Sequence, residues 1–353
     1  MKDILGKVKN LVVEKDLDGF LFSSQANVFY LSRFRSSNAY VLLTQGDAYF
    51  MTDGRYYHRA KDLLKDWKVL EIRGSFFGFL KQMVRELGLR RVGFEIDRVT
   101  CQFRKKLRTK DVRWVGFVGF LDRVRAVKTS EEISIMKEGV LKADGIYRDV
   151  LSIVKPGMKE MDIRAFIVQR AFEVGATGES FPAIVAFGEG SSIPHWETSH
   201  RTIGDKGPLL IDMGILYKGY CTDFTRTIHI GKPDEEFIKV YTVVRDAHMY
   251  ALEKAKVGNR LADVDRAARD HITRKGLGKF FNHSTGHGVG VEIHEYPRVY
   301  KNVKDYIEEG MVFTIEPGVY LPGKWGVRLE NIVVVKSSSA EPLSEISLDL
   351  VII

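Results

Sequence analysis

Apolar residues change their spacing repeatedly over the first hundred positions. Ile4, Leu5, Val8, Leu11 and Val12 keep helical spacing across residues 3–16, the stripe that lets a helix bury one face. Gly19-Phe20-Leu21-Phe22 is an apolar run of strand length. Tyr40–Thr44 and Ala48–Thr52 flank Gln45-Gly46-Asp47, which predicts a hairpin with glycine in its turn. Helical spacing near 55–65 and 76–87 alternates with short strands at 68–72 and 91–95. The alternation predicts a small α/β domain over residues 1–122.

A different pattern starts after Asp122–Lys128. Thr129-Ser130-Glu131-Glu132 has the form of a capping box, in which Thr129 accepts from the amide of Glu132 and the Glu132 side chain reaches back. A long helix over 130–154 should follow and stop at Lys155-Pro156-Gly157. A second helix runs to Gly175, then strands, then a hairpin near 208–230. The same plan then recurs: a helix over 235–256, another to Gly276, strands, and a hairpin near 311–335. A repeat of about 100 residues predicts an α+β domain over 123–353 with pseudo-twofold duplication, its sheet inside and its helices outside.

Composition narrows the setting. The chain of 353 residues, 44% hydrophobic and 28% charged, fits a two-domain globular protein. No apolar run approaches the roughly 20 residues of a membrane span, so no membrane partner is expected. The segment Met1–Gly19 mixes charges among its apolar residues and has no h-region of a signal peptide. Cys101 and Cys221 are the two cysteines and fall in different predicted domains, which points to a reducing cytoplasm. The net charge of +8 and the run Arg104–Lys110 raise nucleic acid as a partner. No zinc-finger spacing or RNP-like strand accompanies the run, so a solvated helix face is expected and no nucleic-acid partner.

The two hairpins carry the candidate chemistry. With Tyr217-Lys218 as a two-residue loop, Asp212 faces Asp223 across the first. With the turn at Pro322-Gly323, Glu316 faces Glu330 across the second. Facing residues have Cβ atoms about 4.5–5.5 Å apart. Solvent-facing strand positions would explain one such pair. Two pairs at equivalent places in a duplicated domain, both among Leu, Ile and Val, point instead to carboxylates held around cations, since buried acids are costly unless paired or metal-bound.

A fifth group comes from His283-Ser284-Thr285-Gly286-His287-Gly288-Val289-Gly290, which is too glycine-rich for a helical zinc pair. Glycines around His287 let the backbone pass close to something bulky and charged. His294 lies seven residues on, so a bulge or bend must intervene if both histidines face one site. Four carboxylates and one imidazole suit Mn²⁺ or Co²⁺, with Zn²⁺ or Fe²⁺ as alternatives. Four negative charges balance two divalent cations, and a water between them would become a nucleophile near neutral pH.

Ile211-Asp212-Met213-Gly214, Asp223-Phe224-Thr225-Arg226-Thr227, Ser284-Thr285-Gly286-His287-Gly288, Glu316-Pro317-Gly318 and Arg328-Leu329-Glu330 resemble, in order, the five ligand segments of the creatinase/aminopeptidase metallopeptidases, the pita-bread fold. The match covers residues 123–353. Asn27–Leu31 and Thr52–Tyr56 resemble the extra domain of Xaa-Pro dipeptidases (prolidases) and Xaa-Pro aminopeptidases. The resemblance implies that Asp212 and Glu316 touch metal, that Asp223 and Glu330 bridge toward a second ion, and that Glu316 handles the proton of the attacking water. It implies that His294 stabilises the tetrahedral intermediate and that His195 contacts substrate on the opposite wall. Arg298 would bind a peptide's terminal carboxylate, and Arg328 would line the substrate site and orient Glu330. Asn331 departs from the family, where an acid often follows the last ligand.

The implied activity is hydrolysis of the bond preceding proline in Xaa-Pro dipeptides. The alternatives are an Xaa-Pro aminopeptidase acting on longer peptides and, from another class, a non-catalytic peptide-binding module. A homodimer is implied by resemblance alone.

Overall fold

Thr129 closes the first turn of the helix Ser130–Ile153 in the manner its sequence predicts. Its hydroxyl accepts from the Glu132 amide at 3.3 Å, and the Glu132 carboxylate accepts from the Thr129 amide at 2.9 Å. Met136, Val140, Ile146 and Val150 follow helical spacing on one face and are buried. Each such side chain contributes about 1.5–3 kcal/mol by leaving water.

The computed structural model describes residues 2–353; Met1 lies outside them, so the sequence expectation for Met1–Gly19 is described only from Lys2. Contacts divide the chain into two compact units, one running to Val124 and the other Arg125–Ile353. Among the described residues no helix is long and apolar enough to cross a membrane.

The first unit is a six-stranded mixed sheet with helices. Its strand order is Lys68–Glu71, Ala48–Thr52, Ala39–Thr44, Gly19–Phe22, Arg91–Glu95, Arg113–Phe117. The hairpin around Gln45-Gly46-Asp47 forms as predicted. Lys2–Glu14 is helical. The helix Gln25–Ser32 has no counterpart in the sequence expectation, because every residue from Asn27 to Ser32 is buried and no polar face marks a period. The basic run begins on the helix Cys101–Leu107, where Arg104, Lys105 and Lys106 are exposed.

The second unit repeats one plan. In its first half the helices Ser130–Ile153 and Glu160–Glu173 precede the strands Ile184–Phe187, Gly207–Met213 and Phe224–Ile230, which pair in that order, antiparallel. In the second half the helices Glu235–Lys254 and Leu261–Arg274 precede Gly286–Gly288, Val312–Ile315 and Asn331–Val335, which pair the same way. Each half has its own apolar core, one built on Ile146, Val185, Ile211 and Ile228, the other on Val244, Val264, Phe313 and Val333. Each hairpin also ends in a short ribbon, Leu216–Tyr217 with Tyr220–Cys221 and Gly318–Leu321 with Trp325–Arg328.

Candidate metal centre

The second hairpin keeps the expected register. Ile315 faces Asn331 on one side of a break in the ladder, and Gly318 faces Arg328 on the other. Glu316 and Glu330 lie opposite each other in that break, where strand bonding stops and the backbone is free to turn. The Glu316 amide donates instead to Thr285 O at 2.8 Å.

The first hairpin corrects the sequence expectation. Its tight turn is Lys218-Gly219, with φ of 46° and 90°, and Tyr217 faces Tyr220. Two consecutive positive φ values are what a two-residue hairpin loop requires. The register therefore shifts by two residues, and Asp212 faces Thr225 rather than Asp223. A shift of two keeps each side chain on its own face of the sheet. Both Asp212 and Asp223 thus line one cavity with Glu316 and Glu330.

The strand Gly286-His287-Gly288 sits between two neighbours at close range. A Cβ at position 286 would meet Thr314 O at 1.9 Å, and one at 288 would meet Tyr296 O at 2.4 Å. The close approach is thus to flanking backbone, not to the bulky charged group expected from sequence. His287 Nδ1 lies 3.1 Å from Gly288 O. With Nδ1 donating there, Nε2 turns its lone pair toward Asp223 Oδ2 and Glu316 Oε1, each at 3.5 Å. A register shift after His287 supplies the bend that the two histidines need. The ring of His294 packs edge-on against that of His287, centroids 4.2 Å apart.

These groups press on one another. Burial, then Glu330, Asp212 and Glu316, push the Asp223 carboxyl well above the usual carboxylate range. Burial, then Glu316 and Asp212, do the same to Glu330. Glu316 is pushed up to about 7, chiefly by burial. His287 is pushed down to about 4 by burial and then by His294. Like charges about 4 Å apart cost about 4 kcal/mol each at an effective dielectric near 20, more than one hydrogen bond returns.

Such a cluster fits cations. Asp223, His287 and Glu330 bring ligand atoms within 4.8 Å of one another. Among the described residues Oδ1 of Asp212 is buried with no hydrogen-bond partner, and Asp212 lines the same cavity. An oxygen-rich set with one neutral imidazole is what a hard or borderline divalent ion takes.

Around the acids stand groups whose partners the sequence did not reveal. Thr225 Oγ1 donates to Glu330 Oε2 at 2.6 Å. Arg328 makes four hydrogen bonds: Nε to Thr225 Oγ1, one terminal nitrogen to Pro194 O and the Tyr320 hydroxyl, the other to Asp212 Oδ2. It therefore holds Asp212, not Glu330 as expected. Asp265, at the heart of the helix Leu261–Arg274, accepts from the Thr285 amide and hydroxyl, while Arg269 binds Phe281 O and His283 O. Together they pin the histidine loop. His283 turns to Tyr320, at 2.9 Å. Asn331 lies off the cavity and serves Arg226. The partners of Glu330, of Asp212 and of Asn331 lie about a hundred residues away in sequence, so no spacing signals them.

The cavity holds about 640 Å³. Phe181, Pro182 and Ile184 form an apolar stretch of its wall, and His195, His294 and Arg298 also line it. All three of the latter are exposed. Burial and then His195 push the His294 imidazole below its ordinary value. Arg298 faces His287 across the strand pair. Its guanidinium packs on the Tyr300 ring at 5.0 Å, and among the described residues it forms no ion pair.

Known proteins share this fold. Residues 134–337 match the profile described as metallopeptidase family M24, and residues 5–127 match the creatinase/prolidase N-terminal domain. The chain is 34% identical over 351 residues to an uncharacterized peptidase of Bacillus subtilis, covering 99% of each. It superposes on an Xaa-Pro dipeptidase from Bacillus anthracis with a TM-score of 0.96 and 32% identity, covering 100% of this chain and 99% of that one. An X-Pro aminopeptidase from Thermotoga maritima gives 0.90 and 32%, covering 96% and 98%. The duplicated unit is the pita-bread fold.

Proposed function

Because the chain belongs to metallopeptidase family M24, we propose that it cuts the bond preceding proline in Xaa-Pro dipeptides. Arg298 carries this reading: an exposed cation with no ion pair among the described residues faces His287 across the strands, in the cavity that holds the acids. An Xaa-Pro bond has no N–H and its ring fixes φ near −65°, so its recognition needs an apolar wall and a cation for the carboxylate. Phe181, Pro182 and Ile184 supply the first and Arg298 the second.

Asp212, Asp223, His287, Glu316 and Glu330 would hold two divalent cations, Mn²⁺ or Co²⁺ by preference, with Zn²⁺ or Fe²⁺ accepted. Such ions lower the pKa of water and polarise a carbonyl. Glu316 takes the proton of the attacking water. His294 donates to the scissile oxygen as charge develops on it, and His195 holds the peptide from the other wall. Arg328 lines the substrate site and acts through Asp212, keeping that ligand aimed. The enzyme works as a homodimer in the cytoplasm, where its two cysteines stay as thiols.

An Xaa-Pro aminopeptidase would use the same groups on longer peptides, and the two activities named among the similar structures come at equal identity. Comparing kcat/KM for Xaa-Pro and Xaa-Pro-Xaa, in wild type and Arg298→Ala, separates them. A guanidinium–carboxylate pair is worth roughly 1.5–3 kcal/mol, so Arg298→Ala should lower dipeptide hydrolysis by about one to two orders of magnitude and tripeptide hydrolysis less. Equal losses, or none, would favour the aminopeptidase.

A further inference from the structure

Arg226 is 1% exposed and takes no part in the chemistry above. Its five N–H groups are all used. Nε donates to Ser347 O at 3.0 Å, and one terminal nitrogen donates to Thr225 O at 2.9 Å and to Glu330 O. The other donates to Asn331 Oδ1 at 2.8 Å and Ile346 O at 2.7 Å. Every acceptor is neutral. Burial pushes the guanidinium down to about 10, so it stays charged at neutral pH and its bonds are charge-assisted. Asn331 is oriented from behind by His248, whose Nε2 lies 3.4 Å from Asn331 Nδ2. Burial holds that imidazole neutral, near 3.

Arg226 thus joins three segments. Two are the strands that cross at the acids, where the Glu330 amide donates to Thr225 O at 3.0 Å. The third is the segment Ser344–Ile353. Ser344 and the Glu345 amide bind Asp144 at 2.7 Å each. Ile346 and Val351 pack on the core of the first half, Leu348 and Leu350 on that of the second. The segment straps the two halves together behind the acids.

We propose that Arg226 and the segment Ser344–Ile353 are one positioning device: the strap's carbonyls fix the guanidinium, which fixes the Thr225 and Glu330 carbonyls and so sets the spacing of the metal ligands. The proposal rests on the metal-dependent reading above. It assigns metal affinity to residues that touch neither metal nor substrate.

The test is a set of Mn²⁺ binding isotherms and metal-free melting curves for Arg226→Lys, Asp144→Ala and the double variant. Lysine keeps the charge but cannot reach five acceptors. Outer partners of metal ligands typically alter affinity about 10–100-fold, so each single variant should weaken at least one cation by about tenfold. The double variant should be no worse than the weaker single, since both break one linkage. Ile346→Ala, which loosens the strap without removing a polar group, serves if Asp144→Ala does not fold, and should weaken the same cation. A lower Tm with wild-type affinities would make Arg226 merely structural and overturn the proposal, as would strictly additive losses. Isotherms need no substrate, so the two readings fail separately. Wild type that binds two cations but spares proline peptides sinks only the proposed activity. Wild-type affinity in the variants of an active enzyme sinks only this proposal.

Discussion

In the first half of the duplicated unit the strand Ile184–Phe187 sets Ile184 into the cavity wall; in the second half the equivalent strand is Gly286-His287-Gly288 and sets an imidazole there. The acids differ as well. The first half offers two aspartates, one inside a continuous ladder and one beside a break. The second offers two glutamates, both in the break. Each half also supplies the other's support. Arg328 of the second half binds Asp212 of the first, and Thr225 of the first binds Glu330 of the second. Duplication therefore gives the scaffold and two acids from each half, and departures from symmetry give the rest: an apolar wall residue from one strand where its equivalent supplies a histidine.

The harshest way to break the comparison is to remove a ligand of the first half. Asp223→Ala should abolish peptide hydrolysis and lower the number of cations bound. The fold should survive, because Asp223 is a buried carboxyl among like charges whose loss relieves repulsion in the metal-free state. Its metal-free Tm should match or exceed wild type, while the rise in Tm on adding Mn²⁺ shrinks. Full activity in this variant, or after exhaustive chelation, would end the two-metal reading.

The acids of the second half can be weighed by pH. In the metal-free protein Glu316 is raised from 4.5 to about 7, and Asp223 and Glu330 are raised too. A folded state that holds protons more tightly than the unfolded one is favoured at low pH. That contribution is complete below about 4.5 and is lost as pH rises through about 7. For Glu316 alone the displacement is worth about 3 kcal/mol. Chelated protein should therefore melt lower at pH 8 than at pH 5, and Glu316→Gln should flatten the slope. With saturating Mn²⁺ the slope should reverse, because cations displace the protons. A chelated protein with a level Tm over that range would refute the crowding of charge.

Much of this was legible in the chain, and the failures have definite causes. The Thr129–Glu132 cap, the repeat and the Pro322-Gly323 turn are local signals, and each forms as predicted. The first hairpin went astray by two residues because Lys218 adopts a positive φ beside Gly219, which a non-glycine residue rarely does. The error left Asp212 and Asp223 on the right face because the strand period is two. The orientation of Arg328 toward Asp212 and four of the five bonds of Arg226 join residues roughly a hundred or more apart, beyond any pattern of spacing. The bond of Thr225 to Glu330 spans a similar distance.

That last bond offers the finest test of exchange between the halves. Thr225 Oγ1 donates to Glu330 Oε2 at 2.6 Å and accepts from Arg328 Nε at 3.2 Å, so one hydroxyl touches a ligand of the second half and the holder of a ligand of the first. Thr225→Val keeps the shape and the β-branch that suit a strand interior and removes only the oxygen. A hydrogen bond to a charged acceptor is worth about 1.5–3 kcal/mol, and a bound cation recovers part of that by orienting Glu330 itself. The expected outcome is a loss of about tenfold in affinity for one cation, with little change in the other. Thr225→Ser should restore it, since serine keeps the oxygen. Isotherms for the three proteins decide the matter. If valine and threonine bind both cations alike, Glu330 is held by its own strand and the halves do not support each other at this point. If valine weakens both cations equally, the hydroxyl acts chiefly through Arg328, and Asp212 rather than Glu330 is the ligand it governs.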